Sequence, residues 1–211
     1  PPRPRTTRRV MVVDDNCDAA QTLAMLLSYD GYATHSILEV EGAGDVAIEM
    51  HSFSKTFNMT GWRVAWACGG ADFVAALSKA KSNIDSGTFM AVQRAGIAAL
   101  GNYDGFIGEL NAEYQRRRDA LVNGLNSLGW SLQPPKATFY VWAPIPANYQ
   151  TAADFARDLL AECGVLVIPG SVYGSYGEGF VRLSLTIKGD DKLAQINEAI
   201  ERIRTRLPVE F

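Results

Sequence analysis

Short apolar runs rich in β-branched residues alternate along this chain with longer stretches in which apolar residues recur every three or four positions. The short runs are typical of buried strands, and the longer ones of helices that cover a sheet. Strands are predicted at 9–13, 45–50, 63–68, 138–143, 165–168 and 180–185, and helices at 17–28, 71–83, 87–100, 103–128, 152–162 and 191–206. This alternation predicts a layered α/β fold.

Composition narrows the class of protein. The chain has 211 residues, 47% of them hydrophobic, enough for one large or two small domains without disulfides. A net charge of -3 disfavours nucleic-acid binding. Three cysteines, far apart and without a histidine cluster beside them, disfavour a disulfide framework or a zinc site and suggest a reducing cytoplasm. The basic run 116–118 is expected on the solvent face of its helix.

Candidate catalytic and binding residues are concentrated in the segment SFSKTFNMTGWR, residues 52–63. Lys55 follows a predicted strand among aromatic residues, with Ser52 before it and Arg63 after it. Burial near another cation makes a lysine amine a better nucleophile, and a hydroxyl beside an arginine suits a phosphate. The pattern suggests a pocket for pyridoxal phosphate, although a lysine on a surface loop would give the same pattern.

The same stretch resembles the cofactor-lysine motif of the class I/II, fold-type I aminotransferases that use pyridoxal phosphate. The resemblance begins near Tyr29, covers about 180 residues and favours the LL-diaminopimelate or alanine/aspartate-type subgroup. It continues through KSNIDSG at 81–87, ATFYVWAP at 137–144, VIPGS at 167–171 and GEGFVRLS at 177–184. It implies a remnant of the large parallel-sheet domain, followed by an α+β small domain.

The resemblance assigns roles residue by residue. Lys55 matches the lysine that bonds to the cofactor aldehyde and later carries the α-proton, and Ser52 and Arg63 match ligands of the phosphate. Arg182 matches the arginine that binds the substrate carboxylate. The sequence around Arg182 supports this role, because a charged side chain in the otherwise apolar strand FVRLSL needs an anionic partner. Tyr140 and Tyr173 are expected to line the site, or else to be core aromatics.

Much of the family's first half has no counterpart here. The aspartate that pairs with the pyridine nitrogen falls on Gln21 in an ungapped alignment. Residues 8–27 resemble instead the first strand and helix of a response-regulator receiver, whose acidic pair would be Asp14 and Asp15. The chain therefore resembles a fusion, with a receiver-like fragment at 1–28, a large-domain remnant at 29–101 and a small domain at 102–211.

A right-handed βαβ crossover would set strand 10–13 parallel to strand 45–50. Asp14 or Asp15 would then lie near the cofactor ring as a substitute acid. The alternative is a purely structural role, in which the pair only caps the following helix. The resemblance also implies a homodimer or larger assembly, with amino acids and 2-oxo acids as small-molecule partners, no nucleic acid and no membrane.

Two other functions compete with an aminotransferase of reduced or altered activity. Ser52 and Lys55 also form an S-x-x-K pattern, in which a lysine activates a serine for ester hydrolysis. The companion motifs of such hydrolases are absent from the sequence. The third possibility is a folded remnant without catalytic activity, which binds pyridoxal phosphate or nothing.

Overall fold

A computed structural model describes residues 36–207 and two short strands near the start, β1 (Arg9–Val10) and β2 (Ala33–Thr34). The chain divides into two compact units, Pro1–Glu109 and Leu110–Phe211. The mixture of helices and sheets confirms the predicted α/β class. The boundaries at residues 28 and 101, predicted between the receiver-like fragment, the large-domain remnant and the small domain, stay predictions.

The first unit contains a pair of antiparallel strands that precedes and follows the lysine loop. A short helix, α1 (Ala43–Val46), leads into β3 (Ile48–Ser52), and β4 (Ala65–Gly69) pairs with β3 in antiparallel register. The strand predicted at 45–50 therefore begins later, because Asp45 lies in α1. The strand predicted at 63–68 also begins later, because Arg63 has a left-handed φ of 50°.

The predicted βαβ unit is not formed by the described strands. β1 pairs in parallel with β2, whereas β3 pairs with β4. β1 and β3 therefore belong to different sheets and do not pair with each other in parallel. The segment with Asp14 and Asp15 lies outside the described residues, so its proposed role beside the cofactor ring stays a prediction.

Three helices follow, as predicted: α3 (Ala71–Ile84), α4 (Met90–Gly101) and α5 (Tyr103–Asn126). The small core of the first unit is aromatic and lies under the lysine loop. It comprises the buried side chains of Phe53, Phe57 and Met59, with Val64, Ala95, Ala99, Phe106 and Ile107 packed against them. No helix in the described part of the chain is both long enough and apolar enough to cross a membrane.

The second unit is built on a three-stranded antiparallel sheet with β7 at its centre. Its elements in chain order are β5 (Tyr140–Pro144), α6 (Ala152–Cys163), β6 (Ile168–Pro169), β7 (Phe180–Ser184) and α7 (Lys192–Arg206). They confirm the predicted order, although β6 is shorter than the strand predicted at 165–168.

The two faces of this sheet differ in burial. Inward-facing Val141, Ala143, Val181 and Leu183 join the main core with α6 and α7. The opposite face carries polar and aromatic side chains and is only partly covered. Because side chains alternate along a strand, the apolar residues on either side of Arg182 point into the core while Arg182 lies on the open face.

The basic run on α5 does not lie wholly in solvent. Arg116 is exposed, but Arg117 is only 6% exposed and pairs with Glu113, with its Nη1 donating to the Leu185 carbonyl at 3.0 Å. The expectation of a solvated run was wrong at this position. An exposed i,i+4 pair and a buried one have the same sequence pattern.

Two side chains bind backbone amides at the start of α6. Thr151 accepts from the Asp154 N–H at 3.1 Å, and Glu178 Oε1 accepts from the N–H groups of Ala152 and Gly179 at 2.7 and 3.1 Å. These amide donors, from Ala152 first and then Gly179, hold the pKa of Glu178 below its usual value. Glu178 thus fixes the loop before β7 to the positive end of a helix.

Glu178→Gln is expected to change how thermal stability depends on pH. A carboxyl with a lower pKa in the folded chain stabilises the fold above its unfolded pKa, and this stabilisation is lost as the pH falls through the folded pKa. The Tm difference between wild type and variant should be largest near neutral pH and shrink below about pH 4. Melting curves followed by circular dichroism measure it, and a difference that does not vary with pH contradicts this assignment.

Candidate active site

Lys55 lies on a one-turn helix, α2 (Phe53–Thr56), directly after β3. Ser52 caps this helix, and its hydroxyl accepts the Ser54 N–H at 3.1 Å. Both Ser52 and Lys55 are partly buried. The end of the strand and the cap therefore fix the backbone on which the amine is carried.

The loop after Lys55 folds back onto its own beginning. The Phe53 N–H donates to the Val64 carbonyl at 3.2 Å, and the Thr60 hydroxyl donates to the Ser54 carbonyl at 2.9 Å. Arg63 Nη1 in turn donates to the Thr60 carbonyl at 3.3 Å. These bonds return Arg63 to the end of β3, because Ser52 pairs with Ala65 in the β3–β4 register.

Buried aromatic residues hold the loop from beneath. Phe53 and Phe57 have ring centroids 5.4 Å apart, and Phe57 also lies 6.2 Å from the ring of Phe106. Gly96 of α4 lies beside the Phe53 ring, at a distance where a Cβ would make ordinary van der Waals contact with it. Phe53, Phe57 and Met59 thus face the core, while Ser52 and Lys55 are partly buried and Arg63 is exposed.

This loop suits a phosphorylated aldehyde. The Ser52 hydroxyl acts as acceptor in the helix cap, so its hydrogen is available for a phosphate oxygen. Arg63 is exposed, and within the described residues one hydrogen bond from its guanidinium, to the Thr60 carbonyl, is present. A guanidinium with unused donors and a nearby amine are what a phosphate and an aldehyde require.

The second unit holds Arg182 between two aromatic rings. Its Cζ lies 4.0 Å from the centroid of the Tyr140 ring and 4.5 Å from that of Tyr173. Tyr140 comes from the neighbouring strand β5, and Tyr173 from a 3-10 turn after β6. The structure therefore brings together Arg182, predicted to bind the carboxylate, and the two tyrosines predicted to line the same site.

Arg182 has no carboxylate within ion-pair distance among residues 36–207. The expected need for a partner is met in part by the two ring faces, which attract the guanidinium. A guanidinium stacked on rings keeps its N–H donors at its edges, where a carboxylate can accept two of them. The site is thus oriented for a bidentate anion.

One aromatic residue in this group was not predicted. Trp142 pairs directly with Arg182 across β5 and β7, and its ring meets Tyr173 edge-on at 5.6 Å. The alternation in FYVWAP was the signal that could have revealed it, because Tyr140 and Trp142 must share a face. Trp142 is 43% exposed, so it forms part of the accessible surface beside the arginine.

The geometry around Ser52 differs from that expected for the hydrolase. That alternative places the serine on the first turn of a helix, whereas Ser52 precedes α2 as its cap. His51 is engaged with Glu49 at 3.1 Å and stacks on Trp66 at 4.2 Å.

Glu49 and Cys68 accompany His51 on one face of the β3–β4 pair, a grouping that sequence spacing did not reveal. Burial alone would raise the pKa of Glu49, but hydrogen bonds from Ser36, His51 and Ile37 outweigh it and lower the pKa. The carboxylate is therefore charged at neutral pH.

Comparison with known proteins identifies the relatives of this chain. The model of the family "Aminotransferase class I and II" matches residues 11–203. An LL-diaminopimelate aminotransferase of Moorella thermoacetica is 54% identical over 186 residues, which are 88% of this chain and 46% of that protein. A second enzyme of that name, from Nostoc, is 47% identical over 178 residues, 84% of this chain and 44% of its own length.

Solved structures agree with the sequence relatives. The substrate-bound structure of BacF from Bacillus subtilis superposes with a TM-score of 0.73 at 30% identity, covering 97% of this chain and 57% of that one. The chain thus spans about half the length of the curated relatives that it matches. The match from residue 11 overlaps the segment interpreted as receiver-like, and a receiver fusion is not shown.

Proposed function

Because this chain belongs to the class I and II aminotransferases, we propose that it binds pyridoxal phosphate through Lys55 and acts on amino acids and 2-oxo acids. The folded-back loop of Ser52, Lys55 and Arg63 is the observation that carries the proposal. When bound, the cofactor supplies an aldehyde for the amine and a ring that withdraws electrons from the substrate carbon.

The residues of the chain have distinct roles in this proposal. Ser52 and Arg63 bind the phosphate and so orient the aldehyde toward Lys55. The Lys55 amine then takes a proton from the α-carbon of the amino acid and returns it, as a general base and acid. Arg182, held flat by Tyr140 and Tyr173, binds the substrate carboxylate through two parallel hydrogen bonds.

The first amino donor to try is LL-diaminopimelate, named for the relatives at 47–54% identity. We propose reduced or altered activity relative to those enzymes, because Gln21 stands where an ungapped alignment places the family's aspartate that pairs with the pyridine nitrogen. An acid at that nitrogen strengthens the electron-withdrawing ring, so a chain in which neither Asp14 nor Asp15 replaces it should be slowed in transamination more than in reactions that need less charge delocalisation.

The test is covalent labelling of Lys55. Pyridoxal phosphate added to the purified chain should produce a visible absorbance band, and borohydride should then fix the cofactor on the peptide that contains Lys55. Lys55→Arg should lose both signals. The matched control is Lys81→Arg on α3, an exposed lysine paired with Asp85, which should keep both.

Labelling spread equally over Lys81 and other surface lysines, or no absorbance change, would refute the proposal. A specific label at Lys55 without turnover of any amino acid would identify the chain as a cofactor-binding remnant. The labelling step and the turnover step therefore separate the two remaining functions.

We also propose a homodimer or larger assembly. Large apolar side chains in the first unit are widely exposed: Ile84 is 82% exposed, Phe89 75%, Met90 63% and Ile97 70%. Exposed apolar surface on this scale supports association with another protein surface.

We also propose a cytoplasmic location. Its support is that Cys68 and Cys163 are both free thiols.

The receiver-like origin of residues 8–27 is a separate proposal. Its support is the acidic pair Asp14 and Asp15 after an apolar run, together with the helical spacing that follows. A phosphorelay role is not part of it, because the sequence has no counterpart of the phospho-accepting aspartate or of the lysine of receivers.

A further inference from the structure

Three different metal-ligating side chains meet on one face of the β3–β4 pair. Glu49 lies directly opposite Cys68 in the antiparallel register, and His51 follows Glu49 on the same face. One ligand atom from each lies within 4.8 Å of the other two. The three belong to the first unit and take no part in the function proposed above.

Neighbouring groups fix the orientation of these ligands. One carboxylate oxygen of Glu49, Oε1, accepts the Ile37 N–H at 2.6 Å, and the other, Oε2, lies 3.1 Å from His51 Nε2. The His51 ring stacks on Trp66 at an interplanar angle of 15°. Hydrogen bonding of a ligating carboxylate and packing of a ligating histidine are the outer interactions that metal sites use to hold their ligands.

We propose that Glu49, His51 and Cys68 form a binding site for a divalent cation of the zinc type. A nitrogen, a sulfur and an oxygen donor together select a cation of intermediate softness, and three protein ligands leave a fourth position for water. Ligand atoms around tetrahedral zinc stand about 3.3–3.8 Å apart. The histidine and glutamate ligand atoms are 3.1 Å apart, slightly closer than this separation, and all three ligand atoms lie within 4.8 Å of one another.

A reactive cysteine is the competing interpretation of this cluster. Burial, and next the charge of Glu49, raise the pKa of the Cys68 thiol, which is the opposite of what a nucleophilic cysteine requires. His51 Nε2 is engaged with Glu49, and among the described contacts no hydrogen bond joins His51 to Cys68, so the histidine is not positioned as a base for the thiol. A divalent cation displaces the thiol proton to solvent and compensates the carboxylate.

The location gives the site a structural consequence. A cation shared by Glu49, His51 and Cys68 joins β3 to β4 immediately before Ser52 and Lys55. Binding only to the folded chain raises its stability by an amount that grows with the logarithm of cation concentration once this exceeds the Kd. The site therefore supports the base of the lysine loop whether or not pyridoxal phosphate is present.

The experiment uses the full chain, freed of metal with a chelator and without added pyridoxal phosphate. Titration with Co²⁺ should give a thiolate-to-cobalt charge-transfer band and the intense visible bands of four-coordinate cobalt, saturating at one ion per chain. Zn²⁺ should abolish both and raise the Tm. Saturation at one ion with a thiolate band identifies Cys68 as a ligand if the band is also lost in Cys68→Ser.

Cys68→Ser and His51→Asn are each expected to weaken Co²⁺ binding by about 100-fold or more. The matched control, Cys163→Ala in the second unit, should bind as wild type does. Glu49→Gln keeps an acceptor for Ile37 and loses the charge, so it separates ligation from folding. Equal affinity of Cys68→Ser and wild type, or loss of the thiolate band in Cys163→Ala, would overturn the site without bearing on Lys55.

Discussion

Arg182→Ala is expected to lower kcat/KM for an amino acid by about 100-fold or more. The guanidinium is the one group on the open face of the second sheet that can bind a carboxylate through two parallel hydrogen bonds. Removing one partner of a desolvated, hydrogen-bonded charge pair costs about 2–5 kcal/mol, and about 1.4 kcal/mol corresponds to a factor of ten. This prediction rests on the proposed aminotransferase function.

Arg182→Lys separates charge from geometry. Lysine keeps the positive charge but has neither the planar fork nor the stacking surface, so most of the loss should remain. Tyr140→Phe should retain the activity, because it keeps the ring face that lies 4.0 Å from the arginine. Both the Schiff-base label at Lys55 and the Tm should stay unchanged in Arg182→Lys.

The control is Arg157→Ala on α6, which removes a guanidinium that is 68% exposed and paired with Asp154. Its kcat/KM should equal that of the wild type. If Arg157→Ala and Arg182→Ala lose similar activity, general charge rather than a carboxylate site explains the effect. If Arg182→Lys is fully active, the bidentate role of Arg182 is excluded.

Sequence patterns predicted the second unit well because its strands have one buried and one open face. In FVRLS the alternation fixes both the strand and the face on which Arg182 lies. The contact between Arg182 and Tyr140 follows from the pairing of β5 with β7. The contact with Tyr173 does not, because that residue comes from a 3-10 turn whose path has no periodicity.

The first unit was harder to predict because its decisive features depend on how a loop closes and on strand register, and not on alternation within one strand. The motif around Lys55 revealed the chemistry, but the left-handed backbone of Arg63 has no propensity signal, since it is forced by the closure of the loop. The grouping of Glu49 with Cys68 depends on an antiparallel register that the predicted βαβ unit would not have produced.

Arg117 is the case in which sequence pattern and structure differ most within one helix, and burial decides its energetic weight. Arg117→Met is expected to destabilise the second unit by about 2–4 kcal/mol. Methionine keeps the aliphatic stem and removes the donors to Glu113 and to the Leu185 carbonyl. The loss is large because the Leu185 carbonyl is left without this donor in a buried position.

Arg116→Met is the matched control, because Arg116 lies on the same helix and shares the same carboxylate but is 62% exposed. Its expected cost is at most about 0.5 kcal/mol.

Hydrogen bonds from Arg116 and Arg117 lower the pKa of Glu113. The contribution of Glu113 to the difference in unfolding free energy between wild type and Arg117→Met is therefore present above the unfolded pKa and disappears in acid. Urea unfolding at neutral and acid pH measures both quantities. Equal costs for the two arginines would mean that Arg117 is stabilising only as a surface charge, and that its bond to the Leu185 carbonyl contributes nothing.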